Sequence, residues 1–200
     1  MMKLHYSANS PFARKVMACA IARGIDNRIE MVGTNPHTSP AELLKANPLS
    51  KIPCLITEDG MAIFDSPVIC EYLDSVGEAN GLFPSSGTPR WVRISVTHAL
   101  ADGVADALVA RRMHGSAPKD EARIAFLARQ KAAVDRGLAA LEADPPKGLA
   151  DIGAIAVACA LGYADLRFAD EPWRPTHPNL AAWFDRVAKL PPLARTQPQG

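Results

Sequence analysis

The sequence predicts an α+β protein of two domains, a small βαβαββα unit followed by an all-helical one. Three observations predict it. Short apolar patterns of period two and period 3.6 alternate over residues 1–77. Turn formers crowd the next stretch, 78–89, which contains Gly-Leu-Phe-Pro-Ser-Ser-Gly-Thr-Pro and reads as a linker. From 90 to 200 no strand pattern is visible, and the strongly patterned segments have helical periodicity and length.

The elements follow in order. Lys3 to Ser7 alternates as a first strand. Ser10-Pro11 opens a helix that repeats Phe12, Val16, Cys19 and Ala20 at helical spacing, and Gly24 closes it. Arg28 to Val32 is a second strand. After a loop rich in Pro, Thr and Ser, Pro40 to Asn47 makes a short helical turn. Cys54 to Glu58 and Met61 to Phe64 flank Asp59-Gly60, a hairpin signal. A last helix of the first domain is capped at Ser66-Pro67 and carries Val68, Ile69, Tyr72 and Leu73. The second domain is predicted to hold helices over 90–112, 119–142, 151–167 and 179–190. There is no internal repeat.

Composition narrows the function. The chain has 200 residues, 48% of them apolar, enough for a core in each domain. With 22 basic and 21 acidic side chains the formal charge is +1. That balance gives no electrostatic basis for binding nucleic acid or an anionic membrane. The longest nearly apolar stretch, Ile152 to Ala164, is 13 residues, short of the roughly 20 that span a bilayer, and reads as a buried helix. The N-terminus carries no long apolar segment, so no secretory signal is expected. Cys19, Cys54, Cys70 and Cys159 form no Cys-x-x-Cys pair and are expected to be reduced thiols in a cytoplasmic protein. The five histidines are scattered, and no metal is expected.

Three features offer backbone polar groups to a ligand. Ser10 before Pro11 is a natural N-cap, and a helix N-terminus with its free N–H groups and about half a positive charge favours an anion such as a thiolate. Pro53, just before a strand, leaves the polar backbone of Ile52 free to pair with an extended peptide if the bond is cis. At Phe64-Asp65-Ser66-Pro67, Ser66 is the expected N-cap and Asp65 stands beside it with a carboxylate. Together they suit the carboxylate and ammonium of an amino-acid head group.

A Ser-Pro-Phe after the first strand, then Asn-Pro-Leu-Ser-Lys-Ile-Pro before a hairpin, then Asp-Ser opening a helix, resembles the glutathione transferase superfamily over nearly the whole chain. The resemblance implies a thioredoxin-like first domain and glutathione as cosubstrate. It implies a cis Ile52–Pro53 bond, Ile52 pairing with the cysteinyl backbone, Asp65 and Ser66 on the γ-glutamyl end, and Lys51 near the glycyl carboxylate. It also implies a homodimer, with the helix beginning at Ser66 near the partner. Relatives of this superfamily carry a Ser/Thr-x-x-Asp capping box where this chain has Asp151-Ile152-Gly153-Ala154. Asp151 can cap, but Ala154 removes the reciprocal acid.

Omega-like and glutaredoxin-like relatives place a cysteine at the position of Ser10. A serine forms no mixed disulfide, so thiol exchange is not expected there. It can donate a hydrogen bond to the glutathione sulfur. Lowering a thiol pKa by about two units needs roughly 2.7 kcal/mol. A hydrogen bond to a charged acceptor contributes ~1.5–3 kcal/mol, and a helix N-terminus ~0.3–1 kcal/mol. Together these suffice without a general base, so the expected reaction is attack of the bound thiolate on a small electrophile, as in detoxification. Asn9 and Ser7 in the same loop are alternative donors. The electrophile site is expected between the domains, around Phe12, Asp106 and Met113, with His98 and Asp102 nearby. Arg14 and Lys15 read equally well as surface charges, and Arg111-Arg112 as a solvated or interface pair. The same fold also hosts non-catalytic glutathione-binding or adaptor proteins and glutathione-dependent peroxidases, dehalogenases and isomerases.

Overall fold

In a computed structural model that describes residues 1–118 and 120–198, strands β1 (Met2–Tyr6), β2 (Ile29–Gly33), β3 (Cys54–Ile56) and β4 (Ala62–Ile63) form one sheet in the order β2-β1-β3-β4. β1 and β2 are parallel, which requires a crossover, and helix α1 (Pro11–Ala22) provides it. β1/β3 and β3/β4 are antiparallel. Gly24 (φ +72°) ends α1, its N–H donating to Ile21 C=O (3.1 Å) and that of Ile25 to Ala20 C=O (3.0 Å). The hairpin strands are shorter than predicted. The turn takes up Thr57 to Met61: the Thr57 N–H donates to Met61 C=O (2.8 Å) and the Met61 N–H to Thr57 Oγ1 (2.9 Å). Helices α2 (Ala41–Ala46) and α3 (Ser66–Val76) complete this part.

The remainder is helical: α4 (Pro89–Gly115), α5 (Glu121–Ala143), α6 (Ile152–Arg167), α7 (Pro178–Val187) and α8 (Pro191–Ala194). Residue 119, where the second predicted helix starts, and 199–200, the end of the predicted domain, lie outside the described residues. The apolar stretch Ile152 to Ala164 is buried throughout, and α6 packs against both α1 and α4. Asp151 caps it, accepting from the Ala154 N–H at 2.9 Å. The predicted helix over 179–190 instead ends at Val187, and α8 follows with Pro191 in its first turn and Leu193 buried. Among the described residues, no helix is long and apolar enough to cross a membrane.

The turn-rich residues between α3 and α4 are held rather than loose. Arg23 pairs with Asp74 (Nε to Oδ1, 2.9 Å) and donates to the carbonyls of Asp74 (2.9 Å) and Gly77 (2.7 Å). The Asp74 carboxylate accepts from the N–H groups of Leu82 (2.7 Å) and Phe83 (3.3 Å). A Cβ at Gly77 would lie 2.6 Å from the Arg23 side chain, so this close approach requires glycine.

Candidate functional site

Strand register gathers the three candidate features at one end of the sheet. His5 pairs with Cys54 and Leu55 with Ile63, so Ile52-Pro53 and Phe64-Asp65-Ser66 both lie where β1 runs out towards Ser10. No single segment of the chain contains this site.

Ser10 is the N-cap of α1. Its Oγ accepts from the Ala13 N–H (3.2 Å) and its carbonyl from Arg14 N–H (3.0 Å). Capping uses the hydroxyl as an acceptor and leaves its proton available to donate. Ser7 lies in the same loop, its carbonyl accepting from Ser10 N–H (3.0 Å).

The Ile52–Pro53 bond is cis. The buried Asn47 side chain shapes the approach to it, donating to Lys51 C=O (2.9 Å) and accepting from Leu49 N–H (3.0 Å). Among the described residues, neither backbone polar group of Ile52 has a protein partner. The Lys51 side chain is exposed.

At the start of α3 the structure corrects one expectation. Asp65, not Ser66, is the N-cap. Its carbonyl accepts the first helical bond, from Ile69 N–H at 3.0 Å, and Ser66 is already helical and buried. The Asp65 side chain makes no cap bond, so its carboxylate is not consumed by the helix.

Arg14 and Lys15 are buried, with exposures of 8% and 1%, and are not surface charges. α1 is covered on several faces by α3, α4, α6 and α8, which takes most of these side chains out of water. Lys15 Nζ donates to both Asp102 carboxylate oxygens (2.7 Å each) and to His98 Nε2 (2.9 Å). His98 is buried, with its ring edge-on to Phe83 (6.2 Å between centroids). Burial, then the Lys15 charge, lowers its pKa to about 4, so the ring is neutral and its Nε2 accepts the hydrogen bond from Lys15 Nζ. Asp106 lies one turn beyond Asp102. Burial and the Asp102 charge raise its pKa, while Lys51 and Lys15 oppose the rise.

Of the expected electrophile residues, Phe12 is half-buried against the core, and Met113 is exposed two turns beyond Asp106. Neither lines the cleft beside Ser10, where Asn9, Ser10 and Arg14 face Cys159, Tyr163 and Pro198. Cys159 and Tyr163 sit within the apolar stretch of α6, and in the sequence only their i, i+4 spacing marks a shared face. Burial pushes the Cys159 thiol up to about 11, so it is not a nucleophile at neutral pH. Arg111 is likewise not a free surface charge: it pairs with Glu171 (2.6 and 2.8 Å) and lies 4.4 Å over the Phe168 ring.

The chain is similar to known proteins in sequence and in fold. Residues 9–76 match the family model for the glutathione S-transferase N-terminal domain, and residues 124–186 that for the C-terminal domain. An uncharacterized GST-like protein of Escherichia coli K12, YibF, is 31% identical over 202 residues, 98% of each chain. A glutathione transferase family member from Pseudomonas fluorescens Pf-5, solved with bound glutathione, is 39% identical with a TM-score of 0.91 and full coverage of both chains. A glutathione S-transferase from Methylobacillus flagellatus KT, also with glutathione bound, is 37% identical with a TM-score of 0.89, again over both full chains. With both halves matched and a relative of equal length at this identity, the chain belongs to the glutathione S-transferase superfamily.

Proposed function

We propose that the protein is a glutathione transferase that conjugates the glutathione thiolate to a small electrophile. One observation carries the reading: the unspent Asp65 carboxylate stands beside the first turn of α3, at the sheet end that also presents Ser10. Acid and helix N-terminus together suit the γ-glutamyl ammonium and carboxylate. In this reading Ser66 supplies amide and hydroxyl contacts, Ile52 pairs with the cysteinyl backbone, and Lys51 reaches the glycyl carboxylate. Ser10 donates its free proton to the sulfur. The electrophile enters against α4, with Asp106 at the mouth.

The family likeness supports glutathione as the cosubstrate. A second structure of the P. fluorescens protein, 38% identical with a TM-score of 0.86, holds S-(propanoic acid)-glutathione, a glutathione substituted on sulfur. Four buried free thiols suit a cytoplasmic enzyme. Exposed Val68 on α3 and Val92 and Val96 on α4 offer apolar surface for a homodimer.

The test has two steps. The protein should be retained on immobilised glutathione and eluted by free glutathione; failure to bind removes the whole reading. Turnover of an aryl halide should then fall about ten- to hundredfold in Ser10→Ala, the loss of one hydrogen bond to a charged acceptor. Unchanged turnover would remove Ser10 from the mechanism.

A further inference from the structure

Resting on that glutathione reading, we infer that Arg14 is the uncompensated charge that holds the glutathione sulfur as a thiolate. It acts on the sulfur through the protein interior, from one helical turn behind Ser10. The proton leaves to solvent and the charge remains on sulfur.

The two adjacent basic residues of α1 are both buried, but their surroundings differ. Lys15 is neutralised by Asp102. Among the described residues Arg14 has only neutral acceptors: Nη2 donates to Leu193 C=O (3.3 Å) and Nε to Thr196 Oγ1 (3.5 Å). Among the described residues Nη1 is buried with no partner, and no carboxylate pairs with the guanidinium. Buried cations are ordinarily paired, so an unpaired one calls for an explanation. The fold makes room for it on the other side, where a Cβ at Gly162 would lie 2.1 Å from Nη1.

Its position supplies that explanation. Arg14 and Ser10 are four residues apart on one helix face and line the same cleft. Arg14 is only 8% exposed, so little solvent screens the charge.

Among the described residues, the other groups around α1 leave the balance positive. From α6, burial keeps Cys159 and Tyr163 protonated and neutral, while Arg167 of α6 and Arg112 of α4 act on Tyr163. From α4, His98 is neutral and Asp102 is matched by Lys15. Asp65 and Asp106 act on the Lys15 cluster. α8 contributes only the carbonyl of Leu193, and Thr196 beyond it is uncharged. The partial charge of the α1 N-terminus adds to Arg14. An anion at Ser10 is what this arrangement lacks.

The experiment is a titration of protein-bound glutathione, read by thiolate ultraviolet absorbance, with glutathione affinity measured in parallel. In the unmodified protein the bound thiol should titrate well below the value near 8.5 of a free thiol. Arg14→Gln, which keeps a donor for Leu193, should raise it by about one pH unit, an about tenfold smaller thiolate-to-thiol ratio, with affinity for protonated glutathione, measured well below the bound thiol's pKa, little changed. Arg14→Lys should keep the low value. A bound thiol that titrates at the free value in the unmodified protein overturns the inference, whether or not the variants fold. So does an Arg14→Gln protein that binds glutathione with the titration unmoved. Absence of glutathione binding in the unmodified protein instead overturns the reading on which the inference rests.

Discussion

Lys15 donates to both carboxylate oxygens of Asp102 at 2.7 Å, joining the helix that carries Ser10 to the long helix α4 through an ion pair whose lysine is 1% exposed. Removing one partner of such a pair strands the other's charge, at a cost of about 3–5 kcal/mol when both are buried. Asp102 keeps 20% side-chain exposure, which places Lys15→Met at the low end, about 3 kcal/mol by urea unfolding. The double variant Lys15→Met, Asp102→Leu should recover most of the loss. If Lys15→Met alone is neutral, the pair contributes nothing.

His98 makes stability depend on pH. Its folded pKa is about 4, below the unfolded value near 6.5, so the unfolded chain binds the extra proton between these values. The contribution is therefore complete above about pH 6.5 and is lost as pH falls towards 4. Between pH 7 and pH 5 the cost is about 2 kcal/mol. His98→Gln should reduce the slope of unfolding free energy against pH in this window. An equal slope in both proteins would show that His98 titrates normally.

Asp65→Asn separates binding from folding. The carboxylate makes no cap bond, so the unfolding free energy should change by less than about 0.5 kcal/mol. Glutathione affinity measured by calorimetry should fall about thirtyfold, the loss of one charged contact of about 2 kcal/mol. A large stability loss with affinity intact would reverse the assignment.

Two glycines should respond oppositely to alanine. At Gly162 the new Cβ would meet Arg14 Nη1 at 2.1 Å, and displacing that buried side chain should cost about 1–3 kcal/mol. At Gly103, inside α4, nothing lies within 4 Å of the new Cβ, and Gly103→Ala should stabilise by about 0.5–1 kcal/mol. Thermal or urea unfolding of the two variants checks both signs.

Local signals were most informative where one residue has one dominant physical role. Ser10-Pro11 capped α1, Gly24 ended it, Asp151 capped α6, and the apolar run from Ile152 marked the buried helix. Ser66 was displaced by one position because capping depends on whose carbonyl accepts the first helical bond, which Asp65 and Ser66 both could do. The end of α7 was missed because the sequence pattern ran on past Val187, where the chain turns before Pro191.

The sequence by itself determined the order of elements, the caps and the spacing of Ser10, Pro53 and Asp65-Ser66, since each depends on neighbours a few residues away. Only the tertiary structure decided what surrounds them. Arg14 and Lys15 look alike as adjacent basic residues on a helix, yet α4 brings Asp102 to one and α6 and α8 bring only neutral groups to the other. Burial and charge pairing depend on which distant segments pack together, and no local pattern in α1 records that choice.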